Sequence, residues 1–482
     1  MEKAVGRRAN GKDLERGKET ENNRSNGGFL PNGGINEGKN ARKNEGKGGF
    51  IKGALWIAMG GFIAKLIGGL YRIPLTNVIG GRGLGLYQLV YPVYCLFLTV
   101  ATGIPSSIAK LTAERLGQGK SAEPLFKTAM KLFVAVGITA TALMAILAPF
   151  MAKAQGAEEV LGGYYALAPS VALVSAISVF RGYFQGANDM APTAVSEVVE
   201  QVVKVGFGLL FAYFFRADVA RTVVWLLVAV SLSELLALSM LFAVYKRAKS
   251  SAKMVNEGGR YALKPILRLV IPVTVSGILL PASALLDSVL VPRFLSAYTE
   301  NAVTLFGLFS GGAATLINLP VSICYGIAAA SVPAVSAAVA KKEGKEVRRR
   351  IRFALFVTTA VALPCAAGLY LFADIAVKIV FRNLTAEEMQ ILIRLTKALA
   401  ISTLTLSCTQ TLSACLTAQG KPRYAAFSWL IALSAKTVAY SFWLKNPSIS
   451  VLGLAYATNL AYLVAFLLNL LYNFYVSKKR KE

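Results

Sequence analysis

The chain has 482 residues, 55% of them hydrophobic and 16% charged, and 52 Lys and Arg against 25 Asp and Glu give a formal net charge of +27. Soluble domains carry roughly 25% charged residues, so this balance points to a membrane protein rather than a set of soluble domains. Having no His excludes His-ligated metal, the Ser-His-Asp triad and imidazole acid–base catalysis, and five Cys, all within apolar stretches, exclude a secreted disulfide scaffold.

Residues 1–49 are rich in Gly, Asn and Lys, as in Asn22-Asn23-Arg24-Ser25-Asn26-Gly27-Gly28. They have too little apolar content to fold alone and no signal-peptide core, so they read as a disordered cytoplasmic tail. Apolar runs follow at 51–73, 86–110, 128–152, 160–184, 191–215, 222–245, 266–292, 303–335, 353–377, 390–418, 424–444 and 449–475. They are too long for strands and do not alternate, so they predict about twelve membrane-spanning helices. Lys and Arg crowd the loops on the side of the N-terminus, including Lys246, Arg247, Lys249, Lys253 and Arg348-Arg349-Arg350. The opposite loops hold only Arg82, Lys153, Arg216, Arg221, Arg293, Lys378, Arg382 and Lys445. The positive-inside rule then puts both termini in the cytoplasm of a bacterial plasma membrane protein. Charge confined in this way marks topology and argues against a nucleic-acid partner. Trp56 and Trp443 fall near span ends, where interfacial anchors belong.

The second half of the chain repeats the first. Gly103-Ile104-Pro105-Ser106-Ser107 closes span two as Ser331-Val332-Pro333-Ala334-Val335 closes span eight. Phe184-Gln185-Gly186-Ala187-Asn188 leads to Lys204 in span five, and Ala418-Gln419-Gly420-Lys421-Pro422 leads to Lys436 in span eleven. Six spans per copy make a parallel repeat about an axis along the membrane normal, with a site expected between the lobes. The expected fold is an all-α polytopic membrane protein of two six-helix bundles. Its parts are a lobe at 50–246, a basic linker at 247–265, a second lobe at 266–477 and a short tail at 478–482.

Ionisable side chains inside spans are costly, so they face a cavity or a partner. Span one carries Lys65 and Arg72, on one helix face. Span five carries Glu197, Glu200, Gln201 and Lys204, again on one face. Span six adds Glu234, span seven Asp287 and Arg293, and span eleven Lys436. Arg72 and Arg293 also suit snorkelling at the outer ends. Glu200 and Lys204 are spaced for an i,i+4 pair, and Asp287 for a pair with Arg293 or with a neighbouring lobe. Basic groups from both lobes suit an anionic substrate, particularly phosphate or pyrophosphate. This makes Lys65, Arg72, Arg293 and Lys436 the candidate pyrophosphate ligands. Glu197, Glu200, Lys204, Glu234 and Asp287 are candidates for ion coupling or charge balance. No catalytic constellation and no metal site are expected, and no cofactor beyond coupling to H⁺, Na⁺ or the membrane potential.

Gly80-Gly81-Arg82-Gly83-Leu84-Gly85 follows no strand, so it reads as the outer turn between spans one and two and not as a nucleotide loop. Glu158, Glu159, Glu387 and Glu388 are the outer carboxylates that an enzyme acting on lipid-linked sugars would need.

Several segments carry a resemblance to a known family. They include Gly83-Leu84-Gly85-Leu86-Tyr87-Gln88, Gly103-Ile104-Pro105-Ser106-Ser107-Ile108-Ala109-Lys110 and Phe180-Arg181-Gly182-Tyr183-Phe184-Gln185-Gly186. Glu200-Gln201-Val202-Val203-Lys204, Ile271-Pro272-Val273-Thr274 and Leu319-Pro320-Val321-Ser322 extend them. Over about residues 50–475 the chain resembles the stage V sporulation protein B family. That family lies in the polysaccharide-flippase branch of the multidrug/oligosaccharidyl-lipid/polysaccharide (MOP, MATE-like) exporter superfamily. The resemblance implies two six-helix bundles around a central cavity, working by alternating access. It implies undecaprenyl-pyrophosphate-linked saccharide as substrate, spore cortex or cell-envelope peptidoglycan as its destination, and envelope-synthesis machinery as a partner. Related lipid II flippases place basic residues in span one, which gives Lys65 and Arg72 that role. They carry an Arg and a carboxylate in span eight, where this chain has Thr315 and Asn318. The alternatives are a cation-coupled multidrug exporter of the same superfamily, a membrane enzyme acting on lipid-linked sugars, and a scaffold for spore-envelope assembly.

Overall fold

The computed structural model describes the backbone of residues 35–251, 261–341, 343–447, 449 and 451–479. Side chains are described from residue 60 onward, except at 62, 65, 66, 72, 249–251, 275, 276, 478 and 479 within helices. Contacts divide the chain into two units, residues 1–50 and 51–482. In the first, residues 35–50 are helical, and the rest of the expected tail lies outside the described residues. All regular structure in the second unit is helical among the described residues.

The helices are α1 (Ile35–Thr102), α2 (Ile104–Gly117), α3 (Glu123–Ala154), α4 (Leu161–Gly186), α5 (Ala191–Phe215) and α6 (Val219–Ser251). Then come α7 (Leu263–Gly277), α8 (Leu279–Leu295), α9 (Ala302–Gly307), α10 (Ala314–Ala340), α11 (Gly344–Leu371) and α12 (Ala373–Val380). The last three are α13 (Ala386–Ala418), α14 (Pro422–Trp443) and α15 (Leu452–Lys479). Ten helices among the described residues are long and apolar enough to cross a bilayer, eleven if the bent pair α7–α8 counts once. The first expected span, 51–73, is helical backbone whose side chains are described only in part.

The glycine-rich stretch 80–85 is not the open turn that its composition suggests. Gly80 alone leaves the helical region (φ 65°, ψ −170°), a backbone that favours glycine. The leg of α1 before it runs alongside α5, with Gly60 against Ala194 and Tyr71 against Gly208. The leg after it starts beside Val219 at Gly83 and continues through α2, where Gly186 meets Ala109. Gly80 is therefore a one-residue reversal, while Gly81, Gly83 and Gly85 are helical and lie where neighbours come too close for a side chain.

The duplication shows in the packing. α4 packs on α2, α3 and α6, and α13 packs on α10, α11 and α15; α5 lies on α6 as α14 lies on α15. The turns before α5 and α14 match as well. Asn188 and Gly420 both adopt positive φ, 62° and 74°. Each precedes a helix with Pro in its first turn, Pro192 and Pro422.

Two irregular segments lie in the second half. Span seven bends by 49° between α7 and α8. Ile266 and Val270 of α7 are buried with Ile104, Phe126, Phe133 and Phe180 of the first half, while α8 supplies Val291 and Leu295 to the larger core. Span eight passes from α9 through a π-helical segment, Leu308–Ala313, into α10.

Candidate functional site

The first half gathers its charges around the α4–α5 hairpin. Arg181 on α4 and Glu200 on α5 lie on either side of the Asn188 turn, and the hairpin brings them together. One guanidinium nitrogen of Arg181 lies 3.1 Å from Glu200 Oε2, and its Nε donates to Ser196 Oγ at 3.0 Å. Gln201 Nε2 donates to Glu200 Oε1 at 3.1 Å. Glu200 thus has Arg181 as a partner across the hairpin. Glu234 of α6 is only 5% exposed, and its Oε2 has no hydrogen-bond partner among the described residues. Glu197 Oε2 points at Gly61 on the first leg of α1. Lys204 lines a cavity of about 150 Å³ with Gly68, Tyr71, Tyr87, Gln88 and Tyr91.

The second half holds a buried ion pair. Lys436 Nζ lies 2.5 Å from Asp287 Oδ2, with 9% and 15% of the two side chains exposed. Tyr440 donates its hydroxyl to Asp287 Oδ1 at 2.6 Å. Removing two charges from water is costly, and here Coulomb attraction and the phenol bond offset it. The pair borders a cavity of about 140 Å³, lined also by Ser310, Asn318, Ser402, Thr458 and Tyr462. Asp287 therefore pairs with Lys436 on α14, not with Arg293 one helix turn and a half beyond it.

The walls of the two cavities touch through one hydrogen bond. Gln88 of the first cavity donates from Nε2 to the carbonyl of Ser310, which lines the second, at 2.9 Å. Ser310 lies within the π segment.

The end of the molecule that holds Gly80 is sealed by backbone contact. A Cβ on Gly85 would lie 2.1 Å from the Val303 carbonyl oxygen, and one on Gly307 would lie 2.3 Å from the Gly85 nitrogen. Asn77 fastens the same end. Its Oδ1 accepts from the Arg382 amide at 2.7 Å, and its carbonyl accepts from Asn383 Nδ2 at 2.8 Å.

Arg293 sits apart from Lys436. It is exposed in a separate cavity of about 580 Å³ at the Gly80 end, with Lys153, Gln155 and Glu300. The side chains of Lys65 and Arg72 lie outside the described residues; their backbone is helical, on the α1 leg that follows α5. Among the described residues no group of three or more Cys, Asp or Glu is placed to hold a metal ion. Arg181, Gln88 and Ser310 are site residues beyond those expected from the sequence. The signal for Arg181 was its own charge inside the apolar run 160–184.

Two repeated helical lobes, each with a cavity of its own, define a membrane transporter of the MATE-like MOP superfamily fold. Residues 50–339 match the family described as polysaccharide biosynthesis protein, and the chain belongs to that family. Residues 272–443 also match the MatE family. Among characterised relatives, the chain is similar to stage V sporulation protein B of Bacillus subtilis (strain 168), at 27% identity over 69% of this chain and 67% of that protein. It is similar to lipid II flippase MurJ of the same organism, at 24% over 67% and 64%. A solved inward-facing MATE family transporter of the MOP superfamily superposes with a TM-score of 0.74 at 17% identity, covering 86% of this chain and 95% of that one. An outward-facing one gives 0.64 at 17%, covering 89% and 96%. The resemblance carried by the sequence segments therefore holds, and the protein is a multi-pass bacterial membrane protein of the transporter and flippase class.

Proposed function

We propose that this protein flips an undecaprenyl-pyrophosphate-linked saccharide, a peptidoglycan precursor for spore cortex or cell envelope, from the cytoplasmic to the outer leaflet. It acts by alternating access and not as an enzyme. One observation carries the reading: Lys204 and Lys436, at equivalent positions of the two halves, each line a cavity, and the walls of the two cavities touch through the Gln88–Ser310 hydrogen bond. Paired cations from opposite lobes suit a pyrophosphate. The Tyr71, Tyr87, Tyr91, Asn318 and Ser402 linings suit the faces and hydroxyls of a sugar. The relatives named for sporulation and for lipid II flipping support the same reading.

In this account both termini are cytoplasmic, and the Gly80 end faces outward. The seal at Gly85, Gly307, Asn77 and Asn383 is then the closed outer gate. The head group enters from the basic end. Lys65 and Arg72 on the first lobe, with Lys204 and Lys436, hold the pyrophosphate while the polyprenyl tail stays in lipid. The pyrophosphate competes with Asp287 for Lys436, which leaves Asp287 to take a proton or Na⁺. Glu234, Glu200 and Glu197 are the corresponding carboxylates of the first lobe. Arg293, beside Lys153, meets the head group at the outer mouth on release.

The test is transfer in proteoliposomes loaded with a fluorescent undecaprenyl-pyrophosphate disaccharide, read by accessibility of the head group to an external quencher. Wild type should transfer it, and Lys204→Gln/Lys436→Gln should lose at least about tenfold in rate, the effect of ~1.4 kcal/mol. Transfer of drug cations in place of the lipid-linked sugar would overturn the reading in favour of a multidrug exporter.

A further inference from the structure

A second site lies on the flank of the molecule, away from both cavities. At the basic end α3 and the chain entering α7 diverge, leaving a groove of about 540 Å³ lined by Lys127, Thr128, Lys131, Leu132, Tyr261 and Leu263. Lys127 and Lys131 stand one helix turn apart and both are exposed. Lys127 Nζ is fixed at 2.9 Å from Glu123 Oε1, a carboxylate that is itself buried, so the ammonium is held at the lip with donors to spare. Behind the groove, the Arg115 guanidinium lies 5.4 Å from the centre of the Tyr261 ring, adding a third cation.

The groove changes character along its length. Its lip is cationic and hydroxylic, and Leu132 and Leu263 are apolar. Beyond Leu132, α3 turns Ile138, Leu143 and Ile146 outward, as a helix facing acyl chains does. Lysines and a tyrosine at the membrane surface above an apolar wall match one occupant: a lipid whose head group is an anion. The carboxylate on Lys127 sits on the protein side of the lip and leaves Lys131 and Thr128 for the ligand.

We propose that this groove binds the phosphate head group of an anionic membrane phospholipid. The bound lipid joins α3 to the entry of α7. That matters because span seven connects the halves: Ile266 and Val270 are buried in the first-half core, while Asp287 beyond the bend binds Lys436 in the second. The lipid therefore strengthens the hold of the first half on α7.

The test uses the full chain in nanodiscs of phosphatidylcholine with a minor share of phosphatidylglycerol, with retained lipid counted by native mass spectrometry. Wild type should keep one phosphatidylglycerol through detergent washing. Lys127→Gln/Lys131→Gln should bind it about 10–30-fold more weakly, as loss of two surface lysines predicts. A control, Arg349→Gln/Arg352→Gln, removes the same charge elsewhere on the basic end and should leave retention unchanged. Equal loss in the control would overturn the proposal, because general surface charge would then hold the lipid. Equal retention of glycerol phosphate or inorganic phosphate would overturn the lipid as occupant. Both variants alter exposed side chains, and unchanged melting in pure phosphatidylcholine verifies folding. No transport substrate enters the assay, so its failure leaves the flippase reading standing, and the reverse holds.

Discussion

Gly85→Ala should open the seal at the Gly80 end. The added Cβ would sit 2.1 Å from the Val303 carbonyl oxygen and 2.8 Å from both its carbonyl carbon and a Val303 methyl. Ordinary contact begins at 3.4 Å. The obstacle is helix backbone, which cannot rotate aside, so α1 and α9 must part by an ångström or more. Overpacking of this kind costs about 1–3 kcal/mol. The cost falls on the sealed state alone, because the open state separates these helices. The ratio of open to sealed molecules should therefore rise by about 5–150-fold. Spin labels at Glu158 and Glu387, exposed on the first and second halves at that end, report the change by pulsed EPR in a cysteine-free background. The distance distribution should shift to longer values. Gly206→Ala, where an added Cβ meets nothing within 4 Å, should leave it unchanged. A folded Gly85→Ala protein with the wild-type distribution would refute the claim that this backbone contact closes the molecule.

Removing one partner of the buried pair should be costly. Asp287→Ala leaves Lys436 without its carboxylate and should lower stability by up to about 3–5 kcal/mol, whereas Asp287→Leu/Lys436→Met should recover most of it; thermal unfolding in lipid compares them. Arg181→Lys should not replace arginine, because the native side chain serves Ser196 and Glu200 from different nitrogens; a transport rate equal to wild type would contradict this. Glu234→Gln should cost no stability and gain up to about 1–3 kcal/mol, since a buried carboxylate oxygen lacks a described partner. The same variant should lose dependence of transport on the ion gradient, measured with and without a collapsed gradient.

The spans and their repeat were legible because apolar runs and turn residues are local signals. Asn188 and Gly420 mark equivalent turns, and Lys204 and Lys436 follow each at the same spacing. The pairing of charges was not legible. Spacing along α5 pointed to Lys204 for Glu200, and the α4–α5 hairpin adds Arg181, which lies on another helix. Sequence proximity offered Arg293 to Asp287, but the bend of span seven turns Asp287 toward α14. The stretch 80–85 reads as a turn by composition, yet its glycines serve helix contact, which only the opposite helix explains. Gln88 and Ser310 carry no intramembrane charge, so nothing local marks the hydrogen bond between the two cavity walls.

The central claim is that the lobes move a lipid-linked sugar by opening the Gly80 end. It is tested most directly by locking that end. In a cysteine-free background, Asn77→Cys/Asn383→Cys replaces the hydrogen-bonded pair with thiols able to form a disulfide. The account predicts that oxidised protein transfers no labelled undecaprenyl-pyrophosphate disaccharide in liposomes and that reduction restores the rate. Transfer by the fully oxidised protein at the reduced rate would contradict it.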